Sequence, residues 1–298
     1  MSPAPTKINK CMVNHGWRTG RCLTYGLLFI SLLGLSVIAQ HAYAQSTPDA
    51  TNPAANGTLP PGTIPGPGVL YLPLVHTTGV VTSPVTFNAI PISGPRIDHA
   101  AAINGDLNLS LRSYISTTGV LSLVNINGPV DANAPQLAGL FNPPHLPVFT
   151  SLYRVYDWNW ACSADGCRGA PLTEPPVTLL AMAVTPGEAL HIPTRGQAIF
   201  SGDYKAVVLY AEAQRITLVY TRQDTPAVGY VVHIEDVVVD HALLELYNQL
   251  NAAGRTKLPA LHNGETLGVA AGTTIKVAIR DTGSFLDPRS RKDWWIGY

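Results

Sequence analysis

Two stretches of the chain carry side chains able to engage a ligand. The first holds Tyr153, Tyr156, Asp157, Trp158, Asn159 and Trp160. The second sets Asp293, Trp294 and Trp295 behind the basic run Arg289-Ser290-Arg291-Lys292. Aromatic faces beside Asp and Asn suit sugar rings, because C–H faces stack on indole while carboxamides bond hydroxyls. The opposing reading places every second ring of a strand in a core, where Trp is generally well buried. For Trp158 and Trp160 the core is the simpler expectation; for Trp294 and Trp295 both readings stand.

Seven histidines lie beyond residue 45: His76, His99, His145, His191, His233, His241 and His262. None is two or four residues from another, so no single strand or helix face offers a pair of ligands. His191 and His233 fall within strand patterns, and Asp236 or Asp240 would complete a zinc site under a hydrolase reading. A hydrogen-bonded structural role is the plainer expectation for each. The chain has no G-x-S-x-G elbow, no P-loop, no G-x-G-x-x-G after a strand and no H-E-x-x-H. On this evidence no cofactor is expected.

The elements that must hold these residues start after an N-terminal address. Four of the 19 basic residues (Lys7, Lys10, Arg18, Arg21) precede residue 45 and none of the 19 acidic residues does. An apolar run, 23–39, and Ala42-Tyr43-Ala44 follow, which is the pattern of a secretory signal over 1–44. An uncleaved anchor is the alternative. The remainder carries an acidic excess, which excludes a basic nucleic-acid-binding surface. Once the signal is cleaved, no transmembrane segment is expected. Two cysteines remain, Cys162 and Cys167, and in an exported chain this spacing predicts a local disulfide. Residues 45–68 are dominated by Pro, Gly, Thr, Asn and Ala and read as a spacer. Asn56 and Asn108 match the glycosylation acceptor pattern.

With 26 Gly, 25 Pro and only 13% charged residues, the chain reads as mostly β. Strands are expected at 80–92, 106–114, 120–126, 147–160, 177–184, 188–193, 204–213, 215–221, 229–239 and 273–280. Leu107, Leu109 and Leu111 alternate with Asn108, Ser110 and Arg112, as a strand with one wet face should. One helix is expected at 241–253, capped by Asp240 and closed by Gly254. A boundary near 130–147 would separate a smaller β module (69–146) from a larger β domain (147–298).

Residues 177–288 offer AMAVTPGEALHIP (181–193), YKAVVLYAEAQRITLVYTRQD (204–224), GETLG (264–268) and TTIKVAIRDTGSFLDP (273–288). In order, strand length and punctuating glycines this stretch resembles the lysostaphin-like M23 zinc endopeptidase domain. The resemblance implies an antiparallel barrel-sandwich with helix 241–253 inserted. It also implies a lost metal site, because the family's ligand positions fall at Val177, Ala181, Arg222 and Thr274-Ile275-Lys276. Neither Val nor Ala binds zinc, and Lys276 would oppose it.

The reading is therefore an exported or surface-tethered, non-catalytic protein. It would bind a cell-envelope glycan, peptide or protein through Tyr156, Trp158, Trp160, His191, Arg222, His233, Trp294 and Trp295. A metal-dependent extracellular hydrolase using His191, His233 and Asp236 is one alternative. A structural surface or assembly module is the other.

Overall fold

The computed structural model describes residues 86–298, so the expected signal, the spacer and the first part of the 80–92 strand pattern lie outside the described residues. The fold is mostly antiparallel β. Its larger sheet runs, in spatial order, β1 (Asn88–Pro91), β11 (Lys257–Leu261), β7 (Ala206–Glu212), β8 (Arg215–Val219), β9 (Tyr230–Glu235), β13 (Thr274–Asp281), β5 (Leu179–Ala183), β3 (Phe149–Asn159) and β2 (Tyr114–Thr117). Two short strands attach beside this path: β4 (Cys167–Pro171) pairs with β3, and β14 (Ser284–Leu286) with β13. A second sheet is formed by β10 (Val237–Val239), β12 (Thr266–Ala270) and β6 (Ala189–His191). The larger sheet does not close into a barrel among the described residues, so the expected barrel-sandwich is corrected to an open, sandwich-like arrangement.

Strand alternation explains the two faces of the larger sheet. Ile216 and Leu218 of β8, Val232 and Ile234 of β9, and Ile275, Val277 and Ile279 of β13 point to one side. There they join Leu190, Val237, Val239 and Leu267 of the smaller sheet in the main core. The opposite face pairs Arg215 with Glu235 and Lys276, Thr217 with His233 and Ala278, and Val231 with Arg280. A small second core of Leu109, Val155, Leu179, Ala278 and Phe285 sits on that face. The polar face is thus half covered, and the cleft described below opens there.

The expected helix is present as α2 (His241–Ala252). Asp240 Oδ1 accepts from the amides of Ala242 and Leu243, a cap of about 1 kcal/mol. Gly254 follows at φ +85, the left-handed closure that favours glycine. Three other expectations fail. Residues 106–114 are not a strand: the Asn108 side chain accepts from Ser110 N at 3.1 Å and caps a short helix, α1 (Leu109–Arg112). Residues 120–126 form an exposed loop tied to the C-terminal segment through Val124 N to Arg289 O and Arg291 N to Val124 O. The 229–239 pattern breaks at Asp236 (φ 64), where the chain leaves one sheet for the other.

No seam separates 86–146 from the rest. β1 pairs with β11 and β2 with β3, and Leu107, Leu137 and Leu140 enter the main core. Residues 86–298 form one compact unit. Asn108 is buried and also donates to Tyr210 Oη at 3.0 Å, so in the folded chain it is a structural cap rather than a glycan acceptor.

Candidate functional site

A cavity of about 750 Å³ lies on the half-covered face. Four turns build it: the 95–99 loop after β1, the 104–106 turn before α1, the β3–β4 hairpin with Trp160 and Ala164, and the 224–227 connection. Arg280 and Gly283, from the β13–β14 hairpin, complete the lining. That hairpin turns on Thr282 and Gly283, both with positive φ (47 and 85), the backbone of a tight two-residue turn. The turn aims Gly283 O back at Arg280, which donates from Nε at 3.0 Å and Nη2 at 2.6 Å.

Asp106 is the hub of the floor. Its Oδ1 accepts from Arg112 Nη2 and lies 2.9 Å from Arg280 Nη1, while its Oδ2 accepts the Trp160 indole N–H at 3.1 Å. Burial alone would raise the Asp106 carboxyl, but Arg280 and Arg112 outweigh it and hold the group below the usual range. Burial, reinforced by Arg112 and opposed by Asp106, lowers Arg280 to about 10. Phe285 lies beneath both guanidiniums, 4.9 Å from Arg280 Cζ and 5.3 Å from Arg112 Cζ.

His233 sits below this floor, stacked on Phe285 and almost wholly buried. Thr217 Oγ1 donates to Leu107 O at 2.7 Å, so its oxygen must accept from His233 Nδ1–H at 3.0 Å. Nε2 then carries a lone pair, with no hydrogen-bond partner. Burial, with Arg280 and Arg112 close by, holds the imidazole well below its ordinary range and hence neutral.

The rim is organised by two further pairs. His99 bonds Asp98 Oδ1 through Nδ1 at 2.7 Å and Ala164 O through Nε2 at 2.9 Å, and its ring lies 4.8 Å from that of Trp160. The bond to Asp98 and then that to Ala164 O raise the His99 imidazole. On the far wall, Asp224 accepts bidentately from Arg255 at 2.8 and 2.6 Å and also receives Ile97 N at 3.3 Å. Arg255 follows α2 and donates onward to Leu209 O, Asn251 and Tyr247. A fully buried ion pair therefore bolts the helix end, the 224 turn and the 97 loop together.

No family model, curated protein or solved structure matches this chain. The M23-like reading of 177–288 gains nothing from these comparisons; the strand register brings two of its positions together and leaves Arg222 apart. Ala181 and Lys276 are cross-strand neighbours, and Lys276 continues through Glu235 to Arg215 at the start of β8. Arg222 follows the opposite end of β8, where its guanidinium lies 4.9 Å from the Phe200 ring.

Of the residues singled out from sequence, Trp160 lines the cleft and His233 lies under it. Tyr156 is half-buried beneath Arg168, whose Cζ is 5.6 Å from its ring. Trp158 is wedged between Gly105 and Gly166, where any side chain would collide with its ring. His191 bonds Gly264 O at 2.9 Å and lines a separate hollow of about 150 Å³. Trp294 and Trp295 are core residues, their indole N–H groups donating to Asp287 O and Pro288 O at 2.9 Å each.

Asp287 is itself buried against Arg289, so the 287–295 run is neither a lid nor an exposed binding edge. The zinc alternative built from His191, His233 and Asp236 is also corrected. His191 and His233 stand in different sheets, and the Asp236 carboxylate is taken by Lys276. No three His, Cys, Asp or Glu side chains converge to hold a metal among the described residues. The expected disulfide is present, Cys162 to Cys167.

The sequence reading missed Asp106, Arg112, Arg280, His99, Asp224 and Arg255. The available signals were the Asn104-Gly105-Asp106 turn and the Asp281-Thr282-Gly283-Ser284 hairpin, each next to a charged residue in an otherwise apolar stretch.

Proposed function

We propose that this chain is an exported, non-catalytic cell-envelope protein that binds a glycan in the cleft floored by Asp106 and Arg280. One observation carries the reading. Trp160, 38% exposed, has its indole N–H anchored to Asp106, which Arg280 and Arg112 hold in turn, so its ring is a fixed platform in the 750 Å³ cavity. Fixed indole faces beside Asp, Asn and Arg groups are suited to sugar rings, since stacking and hydroxyl hydrogen bonds are offered together without a cost for ordering the platform.

The non-catalytic part rests on how the charged groups are spent. Asp106 takes its donors from the protein, and Arg280 gives to Asp106 and Gly283 O. Groups so committed hold a shape; to move a proton they would have to abandon it. Export is supported by the N-terminal signal pattern and by the disulfide. Among the described residues no helix is long and apolar enough to cross a membrane.

The test is co-sedimentation with insoluble envelope glycan. The wild-type protein is expected in the pellet and Trp160→Ala in the supernatant, with both variants showing the same circular dichroism. Wild type and variant found equally in the supernatant, with soluble sugars also failing to bind, would overturn the proposal.

A further inference from the structure

The cleft continues past Trp160. A second hollow of about 370 Å³ shares Asp106, Trp160, Arg280 and Gly283 with the first. The two hollows meet along these four residues as one trough, and the anchored indole is part of their common wall. Each half has its own polar chemistry. The larger offers Arg96, Asp98, His99 and Asn104. The smaller offers Arg112, Asp157, Glu174 and Ser284, with Leu172 and Phe285 as its apolar wall.

The charge balance of the smaller half is decided by burial. Arg112 is 4% exposed, and its guanidinium is occupied by Gly105 O, Tyr156 O and Asp106. Asp157 reaches only to 3.7 Å from it, and its side chain is 63% exposed. Glu174 is exposed on the same rim. The charged groups a ligand meets there are therefore the carboxylates of Asp157 and Glu174, negatively charged hydrogen-bond acceptors. They suit hydroxyl, amide N–H or ammonium donors and repel a carboxylate.

We infer that the trough binds a linear oligosaccharide with units on both sides of Trp160, and that the unit in the smaller half is a neutral or amino sugar, not a uronic acid. This deepens the glycan reading and rests on it. A single ring stacked on Trp160 would leave one half filled with water, whereas a chain crossing the indole uses both sets of hydrogen-bonding groups. Asp157 and Glu174 act as specificity determinants, Trp160 as the shared platform.

The experiment is calorimetric titration of the full-length protein with N-acetylglucosamine and its linear oligomers up to the hexamer, and with the glucosamine and galacturonate hexamers. Affinity is expected to rise roughly tenfold or more from monomer to hexamer. The glucosamine hexamer should bind tighter than the galacturonate hexamer. An Asp157→Asn/Glu174→Gln double variant should abolish that preference. Equal affinities for monomer and hexamer, with binding still lost in Trp160→Ala, overturn the two-part trough and leave the glycan reading standing. Equal affinities for the two charged hexamers in the wild type overturn the role of Asp157 and Glu174. Failure of every sugar to bind overturns the glycan reading itself.

Discussion

The 153–160 and 287–295 stretches carry the same kinds of residue, and the fold uses them in opposite ways. In the C-terminal run, both indole N–H groups are met by backbone carbonyls seven residues earlier in the chain, and Asp287 and Arg289 neutralise each other beside them. Nothing polar is left over, so both rings sink into the main core, with Phe149 5.7 Å from Trp295 and Tyr230 5.6 Å from Trp294. In the hairpin stretch, the Trp160 N–H is met by a carboxylate that already serves two arginines. That hub keeps water and charge at the site, and the ring stays at the edge of a cavity. For Trp160, Trp294 and Trp295 the ring's place follows the partner its N–H finds, whereas Trp158 is held by packing against Gly105 and Gly166 with its buried N–H unpartnered.

The contrast breaks most sharply at the rings themselves. Trp295→Ala removes a side chain with no exposed surface from a close-packed core and is expected to cost about 3–5 kcal/mol. Trp160→Ala, at a partly exposed rim, should cost about 1 kcal/mol or less while removing ligand retention. Urea unfolding of both variants beside the wild type checks this. Comparable losses in the two would mean that Trp160 is a structural residue and that the cleft is incidental.

The strands of the larger sheet were legible because their apolar runs are long and bounded by glycine and proline, and helix α2 because its cap, period and terminal glycine agree. The 106–114 segment was not, for a physical reason. Its alternating leucines imitate a strand, but Leu107 enters the main core and Leu109 the smaller one, on either side of Asn108, which caps a helical turn. Alternation over a few residues cannot distinguish one wet face from two separate cores. The site was harder still. Trp160 stood out by type, but its platform depends on Asp106, Arg112 and Arg280, brought together from the 104–112 segment and the end of β13. No local pattern records that convergence. Trp294 and Trp295 were equally conspicuous, and only the carbonyls of residues 287 and 288 decide their burial.

The buried imidazole beneath the floor makes the cleft side of the molecule acid-sensitive in a way the C-terminal side is not. In the unfolded chain His233 takes up a proton near pH 6.5, whereas in the fold burial and the two arginines keep it neutral to much lower pH. The unfolded state then binds more protons below that point, so stability is intact above about pH 6.5 and is lost as pH falls. The slope from this one group approaches 1.4 kcal/mol per pH unit. His233→Gln removes the titration while keeping a side chain able to bond Thr217. It should flatten the acid limb of stability against pH, whatever it does to stability at neutral pH. An unchanged acid limb in this variant would place the sensitivity elsewhere.

The smallest effect separates local from global roles for the disulfide. Cys162 and Cys167 close a short hairpin that is already held by the Asn159–Cys167 pairing of β3 with β4 and by Ser163 Oγ to Gly166 O at 2.7 Å. Because the loop is short, reduction returns less entropy to the unfolded chain than opening a long loop would, and in the fold its ends stay tied without the bond. What it loosens is the loop carrying Ala164, whose carbonyl accepts from His99 Nε2 on the cleft rim. Reduction with a dithiol, or the Cys162→Ser/Cys167→Ser variant, should leave the urea midpoint nearly unchanged yet lower the His99 titration seen by proton NMR, because one of the two bonds that raise it is weakened. A large drop in the midpoint with His99 unmoved would invert the assignment, making the bond a staple of the fold and leaving the rim to stand on the Asp98–His99 pair alone.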